Sequence, residues 1–267
     1  MDILKHNRTA WNNESSANGE WSIPVGEKII RSAREGSWEV ILTPLKAVPK
    51  SWFGNLKGKR VLCLASGGGQ QAPVLAAAGA QVISFDLSDM QLEKDQIVAE
   101  REDLDLTCIR GDMADLSGFS DESFDLIFHP VSNIFVPNVD VVWRECYRVL
   151  KPEGALLSGF MNPSMFLFDH EASIEEGRIE VKYKLPYVEP NSLNSDGKSS
   201  LEKSGRAIEF GHSLESQIGG QLKAGFVLSE LYEDYWSDEI PLNKYCPTSI
   251  ATKAVKLRST SCSKTTP

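Results

Sequence analysis

From Arg60 onward the sequence alternates short, largely apolar runs with segments of helical spacing, and this constrains the fold more than any other feature. The runs are Arg60–Ala65, Gln81–Asp86, Leu104–Ile109, Phe124–Phe128 and Ala155–Phe160. Arg60–Ala65 is continuously apolar, as expected of a parallel strand covered on both faces, and the other four read as further strands. Between them, Pro73–Ala78 reads as a helix, with Pro73 in its first turn and Gly79 ending it. Ser88 is placed to cap a second helix, with Gln91 at the capping-box spacing. Val139, Val142, Trp143, Cys146, Val149 and Leu150 mark one buried face of a third, which Pro152 stops before Gly154 turns the chain. Strands separated by helices imply right-handed crossovers and a doubly wound parallel α/β sheet.

The flanks are less regular. Residues 1–55 are polar and carry Trp11, Trp21, Trp38 and Trp52; Ile29, Ile30 and Ala33 are spaced as one face of a short helix. This stretch reads as a helical preamble. Residues 161–212 break the alternation with charge, Ser, Asn and Pro, and read as an insertion with strand-like runs at Ile179–Tyr183 and Ala207–Phe210. Leu214, Ile218 and Leu222 then form a helical stripe before strand-like Phe226–Leu231 and Ser249–Val255, and a tail, 259–267, expected to be disordered. With 267 residues the chain suits one large α/β domain. Its net charge of -9 argues against nucleic acid as the main partner. No run has membrane length, and the first residues lack the apolar stretch of a secretory signal. The 5 cysteines form no Cys-x-x-Cys pair, so reduced thiols in a cytoplasmic protein are expected, with no metal site.

Chemistry in such a sheet gathers at the carboxyl ends of the strands. The first expected strand is followed by Ala65-Ser66-Gly67-Gly68-Gly69, whose glycines leave bare backbone beside a helix start. Asp86 closes the second, placed to meet ribose hydroxyls, and Asp112-Met113 follows the third. By itself Gly67–Ala72 also fits a dinucleotide fingerprint. Tyr147 and Lys151 match the spacing of a short-chain dehydrogenase pair, although Pro152 puts them at the end of a helix. His129 follows the fourth strand with Pro130, Ser132 and Asn133, and a histidine there has a pKa suited to a general base.

Several segments in order carry a family resemblance. Val61-Leu62-Cys63-Leu64-Ala65-Ser66-Gly67-Gly68-Gly69 resembles the first strand and glycine turn of the class I S-adenosylmethionine-dependent methyltransferases, with Cys63 where that family has an acidic residue and Ala65 where it has its first glycine. Phe85-Asp86-Leu87-Ser88, Arg110-Gly111-Asp112-Met113, Phe124-Asp125-Leu126-Ile127 and Glu145–Leu156 are similar to its later segments. The resemblance implies a Rossmann-like, mostly parallel sheet of seven strands with the last antiparallel. It also implies that S-adenosyl-L-methionine is the cofactor. On that reading Ala65, Ser66, Gly67, Gly68 and Gly69 present backbone to its methionyl part, and Asp86 accepts from its ribose. Leu87 and Met113 flank adenine, Asp112 accepts from the adenine amino group, and His129 faces the transferred methyl. Trp11 belongs to a lid over the cofactor, and Phe166, Phe168, Asp169, His170, Tyr183, Tyr187 and His212 lie where such enzymes recognise a small-molecule acceptor. A cofactor-binding regulator without activity, or an NAD(P)-dependent reductase using Tyr147 and Lys151, stand as the alternative readings.

Overall fold

The computed structural model describes residues 2–258 apart from 170–172, 176, 178, 190 and 237–239. The expected tail, with Cys262, and His170 lie outside the described residues. The apolar runs become strands β1 (Arg60–Leu64), β2 (Gln81–Asp86), β3 (Leu106–Arg110), β4 (Phe124–His129) and β5 (Leu150–Met161). A two-stranded ribbon, β6 (Tyr187–Val188) with β7 (Phe210–Gly211), precedes β8 (Val227–Asp234) and β9 (Ser249–Val255). The main sheet has the order β3-β2-β1-β4-β5-β9-β8, and β9 runs antiparallel to both neighbours. Seven strands with an antiparallel last one is the expected architecture.

The helices are α1 (Ile3–Ser16), α2 (Glu27–Arg34), α3 (Gln71–Ala77), α4 (Asp89–Glu102), α5 (Val139–Val149), α6 (Ser195–Ser204) and α7 (Gly220–Ala224). Val61 and Cys63 of β1 pack in one layer with Ile30 of α2, Val74 and Leu75 of α3 and Val98 of α4. Leu62 and Leu64 pack in the opposite layer with Val142, Trp143 and Cys146 of α5. Successive side chains point to opposite faces, and both faces are dry, which is why the strand reads as unbroken apolar sequence.

Local departures have physical causes. The helix α5 passes into β5 at Leu150 with no connecting turn, so Lys151–Gly154 sit within the strand and not in a loop. They form an irregularity: the β4–β5 register jumps from Phe124↔Leu150 to Leu126↔Ala155, and Glu153 has φ +68°. A bulge tolerates Pro152, which has no N–H for a ladder. Only half of the expected capping box forms. Ser88 Oγ accepts from Gln91 N at 3.1 Å, but Ser88 N donates to Asp86 Oδ1 at 2.9 Å.

The stripe Leu214, Ile218, Leu222 does not face the core; Leu214 and Leu222 are exposed and Gln217 and Gln221 are buried. A π-turn over Glu215–Gly219 adds a residue ahead of α7, which rotates that face away from the sheet. Gln217 exchanges two hydrogen bonds with the Asn133 side chain, at 3.0 and 3.1 Å, so the buried amides are satisfied in part by each other. In the insertion, Ile179–Tyr183 makes only the single bridge Phe168↔Val181, and Ala207–Phe210 contributes only its last residue to β7. The helix α6 was not anticipated, because Leu201 alone provides its buried apolar contact and a single residue has no periodicity. In α2, Ile30 and Ala33 are buried while Ile29 is exposed.

Candidate active site

A cavity of about 380 Å³ lies at the carboxyl ends of β1, β2, β3 and β4. Its walls come from the glycine turn, from α1, from the Ile41–Pro44 segment and from the insertion. Of the residues singled out in the sequence, Ala65, Ser66, Gly67, Asp86, Leu87, Asp112, Met113 and Trp11 all line it. Gly68, Gly69 and His129 do not.

The turn is built for close approach. Ala65 adopts φ +49°, with its N–H donating to Phe85 O at 2.7 Å. This is a left-handed conformation that costs an alanine about 1 kcal/mol. Ala65→Gly is therefore expected to raise unfolding stability by about that amount in a denaturant titration. A side chain at Gly67 would meet Gln91 Cβ at 2.8 Å and Asp86 Cγ at 3.3 Å. The other two glycines serve the preamble. A Cβ on Gly68 would fall 2.2 Å from Trp21 O, and one on Gly69 2.8 Å from Pro24 Cβ. Val25 N donates to Gly69 O at 2.8 Å, and Gln70 Nε2 to Glu20 O at 2.9 Å. The run of glycines thus lets the Trp21–Val25 segment lie directly on the turn.

Asp86 ends β2 facing this backbone. Its Oδ2 accepts from Gly67 N at 3.0 Å and its Oδ1 from Ser88 N at 2.9 Å. Burial pushes its carboxyl above the ordinary range, opposed by those backbone N–H groups. A carboxylate offers about four lone-pair sites, so acceptor capacity remains toward the cavity. Ser66 Oγ and Gln91 Oε1, both buried and lining the cavity, have no hydrogen-bond partner within the protein. Orphaned polar atoms next to a bare turn and a carboxylate fit a polar ligand carrying hydroxyl and amino groups. Asp112 Oδ1 accepts from Ala114 N at 3.0 Å, which leaves its second oxygen for a ligand, and Met113 and Phe85 belong to the apolar layer behind.

His129 is fully buried, and the structure does not bring it to the cavity. Its Nδ1 lies 2.9 Å from Leu64 O, so that nitrogen carries the proton, and Nε2 has no partner. Desolvation pushes its pKa down to about 4, and the ring packs edge-on to Trp143. Being at a strand end is not sufficient: its side chain turns into the α5 layer. Tyr147 packs on Phe226, and Lys151 pairs with Asp125 at 2.9 Å. Neither reaches the cavity. Of the insertion residues singled out, none of the described ones lines it either; Phe166 stacks on Tyr187, and His212 Nε2 bonds Asn133 O at 3.0 Å. Arg206, Ala207 and Glu209 line it instead.

Sequence reading also missed two residues that hold the site together. Asp95, on the inner face of α4, is fully buried and accepts from Gly69 N at 2.7 Å and Ser84 Oγ at 2.5 Å. The signal was a carboxylate on the stripe shared by Leu92, Val98 and Ala99. Burial raises its pKa to about 7. A folded-state pKa above the unfolded one near 4 means the folded protein binds the extra proton between those values, so this contribution to stability falls as pH rises from about 4 to 7. Asp95→Asn, which keeps one acceptor and gains donors, is expected to flatten that slope in unfolding experiments across the window. Asn7, in α1, is the second: it accepts from Ile208 N at 2.8 Å and donates to Ile208 O at 3.1 Å, clamping the insertion. Asn12 Oδ1 accepts from Ser88 Oγ at 2.7 Å, tying the same helix to the start of α4.

Comparison with known proteins agrees with this geometry. A family model described as a methyltransferase domain matches residues 62–158. Over 255 residues the chain is 48% identical to a protein of Bacillus subtilis (strain 168) described as an uncharacterized methyltransferase, YbaJ, covering 96% of this chain and 99% of that one. A crystal structure of an S-adenosylmethionine-dependent methyltransferase from Mesorhizobium loti has a TM-score of 0.59 at 17% identity, covering 77% of this chain and 94% of its own. The geranyl diphosphate C-methyltransferase of Streptomyces coelicolor A3(2) has a TM-score of 0.60 at 13% identity, covering 96% and 99%. Among the described residues no helix is long and apolar enough to cross a membrane. A glycine turn, an acidic second-strand end and a matching third-strand end around one cavity, together with a relative aligned along nearly its whole length, identify the chain as a member of the class I S-adenosylmethionine-dependent methyltransferases.

Proposed function

We propose that the protein transfers the methyl group of S-adenosylmethionine to a small-molecule acceptor bound in the same cavity. The observation that carries this reading is the cavity's composition. It joins the polar cradle of Ala65–Gly67, Asp86 and Asp112 to apolar walls that include Trp236 and Trp11, the latter set edge-on to Phe135 at 5.2 Å between centroids. When bound, the cofactor supplies a sulfonium methyl that is already electrophilic.

The chain's own part is to bind, orient and exclude water. The Ala65–Gly67 backbone and Ser66 Oγ hold the methionyl portion, Asp86 takes the ribose hydroxyls, Leu87 and Met113 flank adenine, and Asp112 takes its amino group. Gly68 and Gly69 shape the turn and seat the preamble upon it. The segment 1–55 acts as a lid whose Trp11 closes the cavity, and the 161–212 insertion supplies the acceptor's wall. His129 holds the Leu64 carbonyl and so positions the end of β1; its burial and neutral state suit that role better than proton transfer.

The acidic net charge supports a small acceptor over nucleic acid. The test is release of S-adenosylhomocysteine from S-adenosylmethionine, measured across a panel of small amines, alcohols, thiols and acids and against RNA and DNA. Turnover with a small molecule is the expected result. Turnover with nucleic acid alone would overturn the acceptor class, and cofactor binding with no turnover on any acceptor would favour a regulator.

A further inference from the structure

The cavity has a second charged wall, contributed by the insertion. Arg206 commits both terminal nitrogens to Glu189: Nη1 donates to Oε2 at 3.0 Å and Nη2 to Oε1 at 2.7 Å. Glu189 is 3% exposed and also accepts from Tyr187 OH at 2.9 Å. This is a saturated, bidentate pair. Glu209 donates its backbone N–H to Glu189 Oε2 at 3.1 Å, but its own carboxylate reaches Arg206 Nη1 only at 4.0 Å. Two carboxylates thus share one guanidinium, and the less engaged one lines the cavity. Its placement is fixed, because the Asn7 side chain clamps both backbone groups of the preceding Ile208. Trp11, Ile134, Phe135 and Trp236 line the same cavity. An under-compensated carboxylate set among aromatic rings is the environment that an ammonium group fits.

Resting on the reading of this cavity as a methyl-transfer site, we propose that Glu209 selects the acceptor, and that the acceptor is an apolar amine whose ammonium binds against Glu209 and gives up its proton to it. In that step one N–H bond breaks, the proton passes to a Glu209 Oε, and the electron pair remains on nitrogen as the nucleophile. Enclosure raises the Glu209 carboxyl to about 7, with Arg206 lowering it and Glu189 raising it, so it exchanges a proton near neutral pH. An anionic acceptor would meet a carboxylate that Arg206 offsets only in part, and be disfavoured.

Calorimetric titration of the full chain, saturated with S-adenosylhomocysteine, distinguishes these. Phenethylamine, 2-phenylethanol and phenylacetate are matched in size and differ in charge. Phenethylamine is expected to bind at least about tenfold tighter than the other two. Glu209→Gln should erase that preference while leaving affinity for S-adenosylhomocysteine unchanged, and Glu209→Asp, which keeps the charge, should retain part of it. Equal or tighter binding of phenylacetate or 2-phenylethanol, no detectable binding of phenethylamine, or a preference that survives Glu209→Gln would overturn the proposal. Failure of the wild-type protein to bind S-adenosylhomocysteine would instead strike at the cofactor reading beneath it.

Discussion

Replacing Asp86 with alanine is expected to lower affinity for S-adenosylhomocysteine by at least about 100-fold, read by calorimetric titration. In the proposed complex this carboxylate accepts from two ribose hydroxyls, and hydrogen bonds to a charged group contribute about 1.5–3 kcal/mol each. Two of them correspond to roughly 10²–10⁴ in the dissociation constant. Asp86 also receives Gly67 N and Ser88 N, so its removal loosens the turn and the start of α4 together. Asp86→Asn separates the two contributions, because one amide oxygen can still accept from the backbone while the charge is gone. It should fall between alanine and wild type. A loss smaller than about fivefold on Asp86→Ala would show that the carboxylate is only a cap for the following helix.

The largest loss of stability is expected at Trp143. It is fully buried between the sheet and α7, donates Nε1–H to Ser216 O at 2.9 Å, and fits against Gly220, where a Cβ would stand 2.6 Å from its ring. Trp143→Ala should cost about 3–5 kcal/mol in a denaturant titration, since the cavity and the unpaired carbonyl add to the lost transfer energy. Trp143→Phe should cost less, as it keeps most of the volume. His129 packs on the same ring, so the alanine variant should also loosen the contact that holds Leu64. A cost below about 1 kcal/mol would mean that α7 is not packed on α5 as described.

The central sheet was legible because its physics is local. Strands covered on both faces leave an apolar run at β1 and runs broken only by Ser84 and Asp125 inside β2 and β4, and the helix α5 leaves a clean stripe from Val139 to Val149. The ligand-facing positions followed from chain order, since each strand end carries its own residue into one cleft. What stayed hidden depends on tertiary partners. The π-turn before α7 changes which face of a periodic segment is inward, and no hydrophobic count records a one-residue insertion in a helix. His129 shows the same limit: its position on the strand was readable, but its rotation into the α5 layer was not. Gly68 and Gly69 were read as facing a ligand, although their conformation is required by Trp21–Val25, some 45 residues earlier in the chain. Glu209 gave no signal because its chemistry arises from an unequal share of Arg206 with Glu189, a relation visible only once the insertion has folded.

On the proposed reading, the cavity at the carboxyl ends of β1, β2 and β3 holds the cofactor. A crystal structure of the full chain with S-adenosylhomocysteine tests it most directly. The expected result is ribose hydroxyls on Asp86, adenine between Leu87 and Met113, and the methionyl portion along Ala65–Gly67 with Ser66 Oγ satisfied. Density for the ligand elsewhere, or a ribose that leaves the Asp86 carboxylate untouched, would contradict it.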